Sequence, residues 1–290
     1  MIYPKLIPDH QFHGKGKHFG VSFYTTTIDS NKDGYYIDSS NNKQTLFKFR
    51  KKKVSQRYQD IAVNAFLELS KKKHSNRGTA AGIPKGETNA RHYTLTGQNE
   101  GKYIASNISG YFDRPLREHR GVLGTIRACR TTAFTLLNEH LWNSGLSFIQ
   151  KCSSLYKQYG GCYYQRQEIE WRKINRQLKI PRTVFTTVTS NYNWQTACHT
   201  DSGDYSGGLG NLVVVGRDFT GGYIGFPQFK VLIKIMPGDF LLMDVHQYHC
   251  NTPINVNGDG YRLSFVMYIR EDMKLCKHAK IIQGARYHVM

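Results

Sequence analysis

The 290-residue chain has no run of about 18 apolar residues of the kind that crosses a bilayer as a helix. Its first residues, MIYPKLIPDHQFHGKGKHFG, lack the apolar core of a secretory signal. An intracellular protein is therefore expected, nuclear if the host is eukaryotic, with no membrane partner. Cysteine is sparse: the six residues at 129, 152, 162, 198, 250 and 276 include no C-x-x-C pair. That spacing excludes a zinc knuckle or dithiol motif, and the density is too low for a disulfide scaffold, so a reduced protein is expected. No internal repeat is present. A content of 39% hydrophobic and 21% charged residues excludes a wholly disordered chain.

Acidic residues are also scarce. Twenty-one Asp and Glu face 40 Lys and Arg, a formal charge of +19. A field of that sign draws polyanions, nucleic acid before anionic membrane surfaces. What the chain has in plenty is aromatics, 19 Tyr and 15 Phe, which favour a β-rich core.

Along the chain, short β-like runs at Phe19–Thr27 and Gln44–Phe49 precede the basic triplet Lys51–Lys53. A helix is predicted from Ser55 to about Lys71, because Tyr58, Ile61, Ala62, Ala65, Phe66 and Leu69 follow the i, i+3, i+4, i+7 rule. Residues 71–91 are basic and poor in large apolar side chains, and read as a loop. Helical patterns follow at Ala133–Trp142, Leu146–Tyr159 and Tyr164–Leu178. From Thr183 onward the texture is that of short strands separated by Gly, Pro and Asp turns, which suggests a sandwich or barrel. The expected organisation is a basic α/β elaboration over 1–125, packed on helices and a β core over 126–290 as one folding unit. A monomer is expected.

Cys198-His-Thr-Asp201 stands between two strand patterns. A His and a carboxylate two apart on extended chain point to the same side. Two imidazoles and one carboxylate on one face of an octahedral ion form the facial triad of non-haem iron(II) oxygenases, which leaves three positions open. His246 and His249 both stand near the distance where a second imidazole is needed.

The order of motifs adds to this: His199-x-Asp201, then Gly221-Gly222, then Met236-Pro-Gly-Asp239, a distal His, and Arg262-x-Ser264 opening a last apolar strand. It resembles the double-stranded β-helix of 2-oxoglutarate oxygenases. The resemblance implies an α+β fold with a jelly-roll or cupin-like core flanked by helices. It also implies His249 as the distal ligand beside His199 and Asp201, with Arg262 and Ser264 holding the far carboxylate of the co-substrate. His246 then lies outside the ligand set. From Thr183 to Arg270, HTDSGD, GGYIGFPQF, MPGDFLLMDVHQYH and YRLSFVMYIR are similar to the TET/JBP family, as are the upstream CRTTAFT and GYFDRP. The Cys-rich region of the animal members is absent from the chain.

The resemblance implies iron(II) and 2-oxoglutarate as cofactors and oxidation of the 5-methyl group of 5-methylcytosine, or of thymine, in nucleic acid. Duplex DNA with a flipped base is the expected partner, since a methyl group inside a duplex cannot reach a buried metal; RNA is the second choice. Backbone contacts are expected from Lys51, Lys52, Lys53, Arg77, Lys85, Arg91, Arg114 and Arg130, with Arg117 and Arg120 nearby. Tyr223, Phe226 or Phe229 would stack on the base, and Asn191, Asn193 or Gln195 would read its edge. Two other functions are compatible with parts of this pattern: a prolyl-type protein hydroxylase, which does not need a basic groove, and a non-catalytic nucleic-acid-binding relic, against which an intact triad argues.

Overall fold

The structure is a computed structural model and describes residues 5–73, 78–82, 104–113 and 129–276. Strands β1 (Lys5–Leu6), β2 (Thr26–Ile28), β3 (Lys32–Ile37) and β4 (Lys43–Arg50) precede helix α1 (Gln56–Ser70). Then come β5 (Ser106–Phe112), β6 (Arg130–Thr131) and the helices α2 (Ala133–Leu137), α3 (Glu139–Gly160) and α4 (Cys162–Lys173). The C-terminal half contributes β7 (Thr187–Tyr192), β8 (Gly210–Gly221), β9 (Ile224–Phe226), β10 (Val231–Ile233), β11 (Phe240–Met243), β12 (Cys250–Asn251) and β13 (Ile254–Tyr268).

The strands form two sheets. Among the described residues the larger runs β1-β3-β4-β11-β8-β13-β7-β5-β6 and the smaller β12-β9-β10-β2. Strand alternation separates two cores. Val213, Val215, Leu242, Leu263, Phe265 and Met267 face outward and pack with Phe66 of α1 and Phe148, Ile149 and Tyr156 of α3. Their neighbours Leu212, Val214, Leu241 and Met243 face inward and meet Ile224, Phe226, Val231 and Ile233 of the small sheet. Two sheets with helices covering the back of the larger one is the double-stranded β-helix architecture expected from the motif order.

Several boundaries differ from those predicted. The run at Phe19–Thr27 holds a 3-10 turn (Val21–Phe23), and only Thr26–Ile28 is strand. The two helical patterns Ala133–Trp142 and Leu146–Tyr159 regroup: the chain breaks at Asn138, and α3 continues from Glu139 through Asn143-Ser144-Gly145 to Gly160. Gly145 is what carries α3 past α1, since a Cβ there would sit 2.4 Å from the Phe66 ring. The third pattern ends at Lys173, where Ile174 turns extended and drops into a small core with Cys129, Leu178 and Met273. Cys129 is disulfide-bonded, contrary to the fully reduced chain expected, whereas Cys152, Cys162, Cys198 and Cys250 are free thiols. Among the described residues no helix is long and apolar enough to cross a membrane.

Candidate active site

The cavity between the two sheets has a volume of about 500 Å³, within the range of small-molecule sites. His199 and His249 stand opposite each other in an isolated antiparallel bridge and exchange both backbone hydrogen bonds, at 3.1 and 3.0 Å. Asp201 is fixed two residues on, its N–H donating to the Val245 carbonyl at 2.9 Å. The side chains converge: His199 Nε2 lies 3.6 Å from Asp201 Oδ1 and His249 Nε2 lies 3.5 Å from Asp201 Oδ2. Donor atoms of all three fall within 4.8 Å of one another.

The second nitrogen of each ring is committed. His199 Nδ1 bonds the Ala197 carbonyl at 2.7 Å and His249 Nδ1 the Gln247 carbonyl at 3.0 Å. A carbonyl can only accept, so both Nδ1 atoms carry the proton and both Nε2 lone pairs face the cavity, as metal-binding histidines require. His246 is engaged elsewhere. Its Nδ1 lies 3.4 Å from Asp244 Oδ1 and its Nε2 is 3.2 Å from the Asp204 carbonyl. The structure brings His249, not His246, to the centre.

Arg262 is completely buried, and among the described residues its Nε, Nη1 and Nη2 have no hydrogen-bond partner. Burial pushes its guanidinium down to about 10, which still leaves it charged at neutral pH. A buried, unpaired cation is costly and calls for an anion. Ser264 follows on the same face of β13 and lines the cavity beside Leu212, Ile224, Met243 and Val266. A charged fork two residues along β13 from the cavity-lining Ser264, together with a three-ligand cluster, fits a short dicarboxylate that also chelates a metal.

The opposite wall is polar and aromatic. Ser106 Oγ donates to Asn191 Oδ1 at 2.5 Å, and Thr189 and Tyr268 join their hydroxyls at 3.0 Å. Arg270 bridges two acids, with Nε 3.2 Å from Asp113 Oδ1 and Nη1 3.6 Å from Asp204 Oδ1, and lies over the Phe112 ring. Burial, and then the charge of Asp201, hold the Asp204 carboxyl well above the usual carboxylate range.

Trp194 reaches this wall through the backbone of Asn193, which is left-handed at φ 45°. Asn193 holds that shape by pairing twice with Arg262, its N–H donating to the Arg262 carbonyl at 2.9 Å and its Oδ1 accepting from the Arg262 N–H at 2.7 Å.

The sequence candidates for base contact fare differently. Asn191 lines the cavity, whereas Asn193 is spent on Arg262 and Gln195 donates to the Asn251 carbonyl at 3.2 Å. Phe226 and Phe229 are buried against Phe47 and Tyr36, and Tyr223 lies beside Lys234, all outside the cavity wall. The rings that do line it are Phe112 of the GYFDRP segment, Trp194, and Tyr268 of YRLSFVMYIR. Asp204 closes the HTDSGD segment and Arg270 the YRLSFVMYIR segment, but neither segment signals that a cross-chain bridge pairs the two.

Lys51, Lys52 and Lys53 occupy the turn between β4 and α1, where the Lys52 N–H bonds Asp239 Oδ1 at 2.9 Å. Arg130 belongs to β6, and its side chain lies outside what is described. Arg77, Lys85, Arg91, Arg114, Arg117 and Arg120 fall outside the described residues, as does most of the 71–91 loop.

Comparison with known proteins places this geometry. The Tet_JBP profile, described as the oxygenase domain of the 2OGFeDO superfamily, matches residues 107–271. The chain is 32% identical over 173 residues to thymine dioxygenase JBP1 of Crithidia fasciculata, covering 59% of this chain and 20% of that protein. It is 31% identical over 195 residues to the bifunctional helicase and thymine dioxygenase JBP2 of Leishmania tarentolae, covering 67% and 17% respectively. The matched region therefore spans about a fifth of the length of these curated relatives. Among solved structures, NgTET1 in complex with 5mC DNA superposes with a TM-score of 0.53, covering 86% of this chain and 79% of that one. At 13% identity this likeness speaks to the fold alone.

Proposed function

The chain belongs to the Tet_JBP family of oxygenase domains, and from that premise we propose that it is an iron(II)- and 2-oxoglutarate-dependent dioxygenase that oxidises the 5-methyl group of a pyrimidine base, 5-methylcytosine or thymine, in DNA. The observation that carries the reading is the convergence of His199, Asp201 and His249, together with a buried Arg262 guanidinium, unpartnered among the described residues, two residues along β13 from Ser264 of the cavity wall.

His199 and His249 would hold iron through Nε2 and Asp201 through a carboxylate oxygen. Arg262 would pair with the far carboxylate of 2-oxoglutarate, with the Ser264 hydroxyl beside it. Bound together, iron(II) and 2-oxoglutarate supply the oxidising power for hydroxylating a C–H bond. The protein's part is positioning and shielding. Leu212, Ile224, Met243 and Val266 keep water from the co-substrate side. On the other side Trp194, Phe112 and Tyr268 offer flat surfaces to a flipped base. Ser106, Asn191, Asp204 and Arg270 present donors and acceptors to its polar edge. The excess of Lys and Arg, including Lys51 to Lys53, would contact the phosphates.

The test is nucleoside mass spectrometry after incubation with iron(II), 2-oxoglutarate and duplex DNA carrying both thymine and 5-methylcytosine. The expected product is a nucleoside heavier by one oxygen atom, absent with Asp201→Ala. Turnover of 2-oxoglutarate without any modified nucleoside would keep the metal site and overturn the substrate, leaving a protein hydroxylase as the next reading.

A further inference from the structure

Directly behind the two histidines sits a second matched pair of side chains. Cys198 precedes His199 and Cys250 follows His249. Because His199 and His249 exchange both of their backbone hydrogen bonds, the next pair along the bridge, Cys198 and Cys250, is the non-hydrogen-bonded kind. The backbone of Cys198 confirms this: its N–H and C=O turn the other way, to the Lys17 carbonyl and the Gly16 N–H, both at 2.8 Å.

In such a pair the Cα atoms approach to about 4.5 Å, just inside the range of about 4.4 to 6.8 Å that disulfides span. Being one residue out of phase with the histidines, the two sulfurs point away from the cavity. Both are fully buried, and Cys250 Sγ lies 3.3 Å from the Tyr24 hydroxyl. The cover over them is slight: Tyr24 follows the 3-10 turn Val21–Phe23, in which no residue is buried. A short segment of that kind opens locally without unfolding the core.

We propose that Cys198 and Cys250 form a site of reversible oxidative cross-linking by a small hydroperoxide, and that closing this disulfide weakens metal binding at His199 and His249. In the first step one sulfur attacks the peroxide O–O bond, giving a sulfenic acid and releasing the alcohol, or water from hydrogen peroxide. In the second, the other sulfur attacks the sulfenic sulfur and expels water. Two thiols lose two protons and two electrons in all, and these reduce the peroxide to the alcohol and water.

The cross-link fixes the two sulfurs at about 2.05 Å. The carbons that move are on the residues bonded to the two ligands, and metal sites tolerate errors of only about 0.2 Å in ligand distance.

The experiment uses the full chain, reduced and metal-free, treated anaerobically with hydrogen peroxide, then denatured, alkylated and mapped by mass spectrometry. This readout does not depend on catalysis, so its failure is separate from failure of the proposed activity. The expected result is a cross-linked pair of peptides holding Cys198 and Cys250, lighter by two hydrogens, reversed by dithiothreitol and missing from Cys198→Ser. Cys250→Ser serves as the second variant should the first fold poorly. Iron(II) affinity of the oxidised protein, measured by anaerobic equilibrium dialysis, is expected to fall by about tenfold, the lower end of what changes beside metal ligands cost. Alkylation of both cysteines after peroxide, or a link from either to another cysteine, would overturn the site. A cross-link that left iron(II) affinity unchanged would overturn its effect on the metal.

Discussion

Gly222 and Arg262 are in such close apposition that a Cβ on residue 222 would come within 2.5 Å of the guanidinium Nε. Gly222 is also left-handed, at φ 64°. The Gly221-Gly222 turn therefore does two jobs: it lets the chain reverse after β8, and it leaves room for the buried arginine. Gly222→Ala is expected to cost about 1–2 kcal/mol in stability from backbone strain and to raise the KM for 2-oxoglutarate by displacing the fork. Thermal melts with and without 2-oxoglutarate check both; an unchanged KM would show that the arginine is not placed by this turn.

Among the described residues the Arg262 guanidinium has no hydrogen-bond partner, so its removal separates stability from function. Arg262→Met is expected to leave the melting temperature of the apo protein unchanged or higher, since a buried unpaired charge is a liability. The same change is expected to abolish stabilisation by 2-oxoglutarate, with a loss of about 2–5 kcal/mol of co-substrate binding. Retained stabilisation by 2-oxoglutarate would place the co-substrate elsewhere.

Metal removal is the simplest probe of the triad. A ligand present at about a hundred times its Kd stabilises the fold by about 2.7 kcal/mol, so a chelator is expected to lower the melting temperature and iron(II) to restore it. His249→Ala is expected to lose this response and His246→Ala to keep it, because His246 is turned toward Asp244 and the Asp204 carbonyl. The reverse pattern would exchange their roles.

Trp194 lines the cavity and has no ring partner among the described residues. Stacking on a base contributes about 1–3 kcal/mol by alanine substitution. Trp194→Ala is expected to weaken DNA binding by that amount with little change in 2-oxoglutarate turnover uncoupled from DNA, and Trp194→Phe to recover part of it. Fluorescence anisotropy with a labelled duplex decides; equal affinity for all three proteins would remove Trp194 from the interface.

The pH dependence of stability is set in part by His246 and Asp244. The hydrogen bond and charge of Asp244 raise the His246 imidazole. For Asp244, burial works upward but is outweighed by bonds from His246 and Tyr36, and the carboxyl is lowered. A raised imidazole contributes stability below its ordinary value of about 6.5, lost as pH rises through the raised value. A lowered carboxyl contributes above about 3.9 and is lost as pH falls. The pair therefore contributes most between about pH 4 and 6.5. The difference in melting temperature between the protein and His246→Gln is expected to be largest near pH 5.5 and to shrink toward about pH 8.5; a constant difference would disprove the coupling.

Much of the site was legible because its signals are local. His-x-Asp places two ligands on one side of an extended segment by the period of the backbone alone, and Arg262-x-Ser264 does the same on β13. The helix over Gln56–Ser70 and the inward and outward faces of β8, β11 and β13 likewise follow from spacing. What spacing could not supply was which distant residues meet. The continuity of α3 depends on Gly145 touching Phe66 from another helix, and the rings expected to stack, Phe226 and Phe229, lie buried outside the cavity wall because an aromatic has the same sequence signal in a core as on a wall. Tertiary structure alone turned His246 toward Asp244, joined Arg270 to Asp204 and Asp113, turned Trp194 inward through Asn193, and set Cys198 against Cys250. Periodicity is a property of one strand or helix, whereas these pairings exist only once two separate segments have been brought into register.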